Sequence, residues 1–337
     1  MTKLAIVLFN LGGPDGPAAV QPFLFNLFND KAIIPAPDLV RWGIAQLISR
    51  TREKSAQANY AKMGGGSPIV RETTRQADAL EQALRREGRE VKVFLAMRYW
   101  HPFIEETVKK VTAWAPDETV LLPLYPQFST TTTGSSLAGW KKAGGPKARL
   151  VCCYPDHYGF LETNAQLINE AWFNAGKPSN ARVLFSAHGL PESTIKRGDP
   201  YQIQVEETVT AMRGLLDPRL EAVVCYQSRV GPMKWIGPST ESELARAARD
   251  EKGVIVCPIA FVSEHIETLV ELDEEYKEKA HELRVPFYIR IAAPGTKAEF
   301  ISGLADLVEK ALLDEKQVTT GRKIVCDPPC AACPRGF

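Results

Sequence analysis

No apolar run in this 337-residue chain approaches the about 18 residues that a membrane-spanning helix needs, and the apolar LAIVLF near its start has no cleavage site after it. That run reads as a first strand, and the chain is expected to stay in the cytosol. Net charge is also missing: 41 Lys and Arg stand against 40 Asp and Glu, which argues against a polyanionic partner and so against nucleic acid. There is no low-complexity segment and no long linker. Histidine is scarce, with five in the chain. The seven cysteines, in a reducing compartment, read as ligands, catalysts or core thiols and not as disulfides. What is present is ordinary for a globular protein: 45% hydrophobic and 24% charged residues, over a length that suits two domains.

Eight strand-like runs alternate with helix-like periodic segments: LAIVLF, VKVFLAM, TVLLPLY, ARLVCC, ARVLFSA, EAVVCY, GVIVCPIAF and VPFYIRI. This alternation predicts an α/β protein with parallel sheets covered by helices. Three runs of the first half resemble three of the second. Val7-Leu8-Phe9 leads into Gly12 to Pro14 as Val183-Leu184-Phe185 leads into Gly189 to Pro191. Leu121-Leu122-Pro123 parallels Val256-Cys257-Pro258, and Met97-Arg98-Tyr99 parallels Cys225-Tyr226-Gln227. The pattern predicts two similarly built domains, 1–165 and 166–313, with a cleft between them and a separate tail, 314–337, packing on the first domain.

The densest chemical signal is SEHIETLVELDEEY, Ser263 to Tyr276, which directly follows VIVCPIAF. On a regular helix Glu264, Glu267, Glu271, Glu274 and Glu278 share an arc of roughly 80°. Such a row is either a solvated face or a path for cations. Its place after the carboxyl end of a core strand, where open α/β sheets put their sites, favours the second reading. His188 stands at another strand's carboxyl end, before Gly189 and Pro191, as a proton acceptor with near-neutral pKa or as a structural histidine. YPQFSTTTTGSS, Tyr125 to Ser136, offers many hydroxyls but no Walker lysine, so loop and capping roles outweigh nucleotide binding. PFLFNLFND and LVRWGIAQLI, Pro22 to Asp30 and Leu39 to Ile48, are core elements or an exposed lip for a flat apolar ligand or a membrane surface. Cys326, Cys330 and Cys333 crowd the tail IVCDPPCAACPRGF, three ligands of a metal site that lacks a fourth; Cys152 or Cys153 are the nearest donors, while Cys225 and Cys257 read as core thiols.

Taken in order, LFNLGGPD, YAKMGGGSPI, MRYWHPFIEE, YPQFSTTTTGSS, FSAHGLPEST, YQSRVGPMKWIGPST and PIAFVSEHIETLVELDEEY resemble ferrochelatases, which insert ferrous iron into a porphyrin to make heme. The resemblance implies two Rossmann-like, chelatase-type domains with the porphyrin in their cleft. It implies His188 as base or metal ligand, Glu267 facing it across the porphyrin, and Glu264, His265 and Glu271 beside Glu267 as metal or proton groups. Arg98, Tyr99, Tyr60, Ser67, Phe261, Trp235, Arg52 and Leu11 are implied around the substrate, with Arg229 near the lip. It also implies a [2Fe-2S] cluster held by Cys153, Cys326, Cys330 and Cys333, although the tail spacing C-x-x-x-C-x-x-C differs from the animal C-x-x-C-x-x-x-x-C and leaves zinc as the alternative occupant. Fe²⁺ and porphyrin, protoporphyrin IX before coproporphyrin III, are the expected substrates. Peripheral contact with the inner face of a membrane through the lip, and a homodimer, are further expectations. The rival readings are a cobalt chelatase and a non-catalytic porphyrin or heme carrier.

Overall fold

The structure, a computed structural model, describes residues 2–229, 231, 233–315, 318–321 and 334. All eight expected runs are strands. β1 (Thr2–Asn10), β2 (Arg89–Met97), β3 (Glu118–Pro123) and β4 (Arg149–Val151) make one parallel sheet in the order β2-β1-β3-β4. β5 (Ala181–His188), β6 (Glu221–Gln227), β7 (Gly253–Cys257) and β8 (Tyr288–Arg290) make a second in the order β6-β5-β7-β8. The two orders are the same once the second set is renumbered, so the short sequence repeats reflect a repeated topology. Strands covered on both faces must be apolar throughout, and Leu4 to Phe9 and Val183 to Phe185 are buried without alternation.

A ninth strand had no signal in the sequence. β9 (Val318–Thr319) pairs in parallel with β4, and the Gly321 N–H donates to the Cys153 carbonyl at 2.8 Å, so the start of the tail is stitched onto the first sheet. The helix Ala298–Leu313 leads into it, packing against Ile69–Leu84 and Tyr158–Asn174. Its contact with the latter is backbone-close at Gly159, where an added Cβ would lie 2.6 Å from the Glu299 carbonyl oxygen. Phe160, Phe300, Leu304 and Leu307 from these helices join Leu4, Ile6, Phe185 and Ile255 in one apolar core that runs between the two sheets.

The hydroxyl-rich segment turns out to be a joint between the sheets. Asp199, from the second half, accepts from Ser129 Oγ at 2.9 Å and from Thr130 N and Oγ1 at 2.8 and 2.6 Å. Gln127 donates to Thr208 Oγ1 and the Ile259 carbonyl, while Gln204 accepts from Phe128 N. A buried carboxylate thus fills the hydroxyl cluster, the opposite of what a phosphate site requires.

The two apolar stretches near the start form the helices Val20–Phe28 and Asp38–Ala61. One face of the pair is core and the other is exposed. Val20, Phe23 and Leu24 pack with Tyr60 and Tyr99, whereas Leu39, Val40, Trp42 and Leu47 face outward, Leu39 with 81% of its surface exposed. Among the described residues, no helix is long and apolar enough to cross a membrane.

Candidate active site

β5 ends at His188, which lies in register with Gln227 at the end of β6. The chain turns at once, with the Gly189 N–H donating to the Gln227 carbonyl at 2.9 Å, and an added Cβ at Gly189 would meet that oxygen at 2.8 Å. Trp235 bridges to Pro191 and covers the turn. The His188 ring is therefore carried on a rigid base, with 38% of its side chain exposed. Its Nδ1 lies 2.9 Å from Glu267 Oε2. Among the described residues its Nε2 has no hydrogen-bond partner.

Glu267 opens a nine-residue π-helix, Glu267–Glu275, which continues as the α-helix Tyr276–Glu282. The sequence reading assumed 3.6 residues per turn throughout; the wider i→i+5 turn changes which carboxylates align, and such stretches concentrate at functional sites. The row of five therefore divides. Glu267 faces His188. Glu271 accepts from Ser228 N at 2.8 Å, Ser228 Oγ at 2.5 Å and Gln227 Nε2 at 3.0 Å, at the end of the neighbouring strand. Ser228 takes φ +61° to present its N–H there, a conformation that costs a non-glycine residue free energy. Glu264 is turned away from this pair and bound to Arg290 at 2.6 Å and Ala293 N at 2.9 Å. Glu274 reaches across to Lys62 at the end of the lip helix, at 2.7 Å, and Glu278 is exposed. The expected set of His188, Glu264, Glu267 and Glu271 is thus not one convergent ligand shell. Among the described residues, no group of three or more His, Cys, Asp and Glu side chains is arranged to hold a metal ion.

Electrostatics separates the groups that do converge. Burial penalises charge on Glu267, but the facing His188 outweighs it and lowers the carboxyl's pKa. Burial likewise opposes protonation of His188, yet the Glu267 charge wins and raises it. Glu271 moves the other way from Glu267, raised first by burial and then by Glu267's charge. Two nearby carboxylates with pKa values pushed apart are a mark of acid–base assignment. His265 is buried, with Nδ1 donating to the Ser263 carbonyl at 3.1 Å and Nε2 4.0 Å from Glu267 Oε2; burial lowers its pKa.

The first half supplies the opposite wall. Tyr60 is buried, and its phenol is held above the ordinary range by burial and by the Glu267 charge. Leu11, Leu27, Phe28, Trp100 and, from the other half, Ile266 pack around it. Arg98 lies 2.8 Å from Asp30 and donates to Ser135 Oγ at 2.6 Å. Tyr99 is 1% exposed and gives its hydroxyl to the same Asp30, so in this structure it braces Arg98's partner. Ser67 is half-buried against Gly13, and its N–H donates to the Pro14 carbonyl at 2.7 Å. Phe261 lays its ring 4.6 Å from that of His265. Arg52 and Arg229 are exposed. Sequence reasoning missed Asp30, Lys62, Gln76 and Arg290. Asp30 closes a segment that was read only for its apolar residues, and the other three become visible only through their partners.

Cys153 is buried, with Sγ 3.4 Å from Cys152 Sγ, 3.6 Å from Thr320 Oγ1 and 3.7 Å from Gln204 Nε2. Cys326, Cys330 and Cys333 lie outside the described residues. Cys225 and Cys257 are core thiols, the former pushed up to about 12 by burial.

Comparison with known proteins agrees with this picture. The family model described as Ferrochelatase matches residues 3–312. The chain is 61% identical over 314 residues to a ferrochelatase of Caulobacter vibrioides, covering 92% of this chain and 90% of that one. It is 52% identical over 340 residues to one from Hyphomonas neptunium, covering 99% and 95%. Among solved structures it is similar to SirB from Bacillus subtilis with Fe³⁺, at TM-score 0.52 and 12% identity over 93% of this chain and 96% of that one. It is also similar to CbiX, described as the terminal enzyme for siroheme biosynthesis in denitrifying bacteria, at TM-score 0.51 and 17% identity over 92% and 99%. At these identities the structural likeness establishes the fold, a chelatase-type pair of Rossmann-like units.

Proposed function

The chain belongs to the ferrochelatase family, metal chelatases that insert ferrous iron into a porphyrin to make heme, and on that basis we propose that His188 takes the pyrrole protons while Glu267 orients it and raises its proton affinity. The carrying observation is the 2.9 Å contact between His188 Nδ1 and Glu267 at the carboxyl end of β5, facing the Tyr60 wall. Insertion exchanges two N–H protons for one Fe²⁺, so the site must accept protons where the metal arrives. With Nδ1 held by the carboxylate, Nε2 is the nitrogen turned to substrate, and the raised proton affinity of His188 makes it the stronger base. Glu271, also raised, is the next acceptor in line. Among the described residues one imidazole, His188, and one carboxylate, Glu267, are in direct contact at this point, a small set that suits a metal that has to pass on and not stay. Glu264, committed to Arg290, serves the architecture of the helix and not metal delivery.

Protoporphyrin IX is the substrate of this reading, with the exposed Arg52 and Arg229 as partners for its propionates, near Tyr60 and Ser67. The outward Leu39, Val40, Trp42 and Leu47 support docking of the lip on the cytoplasmic face of a membrane, which would receive an apolar product. The tail cysteines fit a cluster anchored at Cys153. β9 delivers the chain beside this thiol, and from Gly321 the five residues to Cys326 span up to about 17 Å, enough to bring it back. Thiolates suit a [2Fe-2S] cluster, which would pin the tail to the first sheet and takes no part in the proton transfers above; zinc is the other metal this ligand set accepts.

The test is His188→Ala in an anaerobic assay with Fe²⁺ and protoporphyrin IX, following porphyrin absorbance. Insertion should be abolished in a protein with an unchanged circular dichroism spectrum. Near-normal turnover would remove His188 from the reaction.

A further inference from the structure

We propose that Gln76, in the first half of the chain, is a positioning residue for the His188 and Glu267 pair in the second half, acting through Ser263 and His265. The inference rests on the assignment of that pair to the reaction. Gln76 lies on the helix Ile69–Leu84 and is completely buried. Its Nε2 donates to the Val262 carbonyl at 2.8 Å and to the Gly295 carbonyl at 3.1 Å, and its Oε1 accepts from Ser263 Oγ at 2.8 Å. One amide from across the cleft therefore ties down both the loop that precedes the π-helix and the loop after β8.

The tie reaches the chemistry in defined steps. Fixing Ser263 fixes its carbonyl, which accepts from His265 Nδ1. A ring that donates from Nδ1 carries its lone pair on Nε2, which lies 4.0 Å from Glu267 Oε2 and makes no hydrogen bond to it, so this tautomer leaves Glu267 to His188, whereas a proton on Nε2 would compete for the carboxylate. Glu267 in turn holds His188. The charged and titratable groups facing Glu267 are His188 from β5, His265 from the loop, Glu271 on the same helix, Tyr60 from the lip helix and Tyr201 from the helix Tyr201–Arg213. Of these, His265 is the one whose tautomer depends on a contact made by the other half of the chain. An apolar side chain at position 76 would leave the Gly295 carbonyl and the Ser263 hydroxyl without the amide, and the Val262 carbonyl with the Gly295 N–H alone, at 3.0 Å, so that the loop would lose its tie to the first half and settle elsewhere.

The experiment compares wild type, Gln76→Leu and Thr208→Val. The last removes the buried Gln127 to Thr208 hydrogen bond, 3.1 Å, which also joins the two halves but does not touch the 262–265 loop. The readouts are ¹⁵N-histidine NMR and the pH profile of porphyrin metallation. In Gln76→Leu, His265 should lose its single Nδ1–H tautomer and the acid limb of kcat should shift by at least about 0.5 unit. kcat should fall about tenfold or more, with porphyrin KM changed less than about twofold. Thr208→Val should keep the wild-type tautomer and profile. If Gln76→Leu does not fold, the isosteric Gln76→Glu, which keeps the acceptor for Ser263 and loses both donors, is held to the same expectations. A wild-type tautomer and profile in the Gln76 variant overturns the proposal, as does an equal effect of Thr208→Val, which would mean general loosening between the halves. Activity retained in His188→Ala would instead overturn the reading on which the proposal rests.

Discussion

Replacing Glu267 with Gln keeps the shape of the group facing His188 and removes its charge, so the consequence for the base can be worked out before the assay. The ion pair spans 2.9 Å. Coulomb's law at that separation gives about 1.4 kcal/mol in a medium like water and about 5.7 kcal/mol at an effective dielectric of 20. With 38% of the His188 side chain exposed, solvent screening brings the value toward the lower end. At about 1.4 kcal/mol per pKa unit, His188 should lose roughly one unit of proton affinity in Glu267→Gln. Burial, which already opposes the charged ring, is then countered by the Glu271 charge alone and pushes in the same direction. The reaction needs neutral His188, so its rate rises with pH as the ring deprotonates. The acid limb of the kcat profile should therefore move about one unit to lower pH. The plateau should fall at the same time, because a weaker base takes pyrrole protons less readily. Glu271 should become easier to ionise as well, since Glu267's charge contributes to its raised pKa. The measurement is anaerobic metallation between about pH 5 and 9. An acid limb that stays in place, or moves to higher pH, would refute the coupling of Glu267 to the base.

Two further outcomes are expected. Asp199→Ala should strip Ser129 and Thr130 of a buried acceptor shared by three donors and cost roughly 3 kcal/mol, read as a lower urea midpoint; a loss below about 1 kcal/mol would mean that this joint does not hold the two halves together. Cys153→Ser should remove visible absorption from protein purified without oxygen, whereas persistent colour in the variant, or colourless wild-type protein containing zinc, would overturn the cluster assignment.

The architecture was legible because a strand buried on both faces must be apolar along its length. The central strands β1, β3, β5 and β7 come close to that requirement, the edge strands β2, β6 and β8 less so, and the resemblance between Val7-Leu8-Phe9 and Val183-Leu184-Phe185 was enough to expose the duplication. β9 was invisible for the converse reason. Two residues carry no periodicity, and their pairing with β4 depends on the preceding helix delivering them to that edge. The acidic helix shows a subtler limit. A helical wheel presumes a helix throughout, so it set Glu264 beside Glu267, whereas Glu264 lies in the loop before the helix and is bound by the Arg290 guanidinium.

By itself the sequence determined the α/β class, the repeat, and the placing of His188 and of the carboxylates at strand ends, because these follow from local pattern and from where a strand must stop. The resemblance singled out Glu267, but its direct contact with His188 at 2.9 Å was decided only by the tertiary structure. So were the bracing of Tyr99 by Asp30 and the tie from Gln76 to the loop before Glu267. Each of these joins residues far apart in the chain, and a hydrogen bond or ion pair between such residues exists only once packing has brought them within about 3 Å.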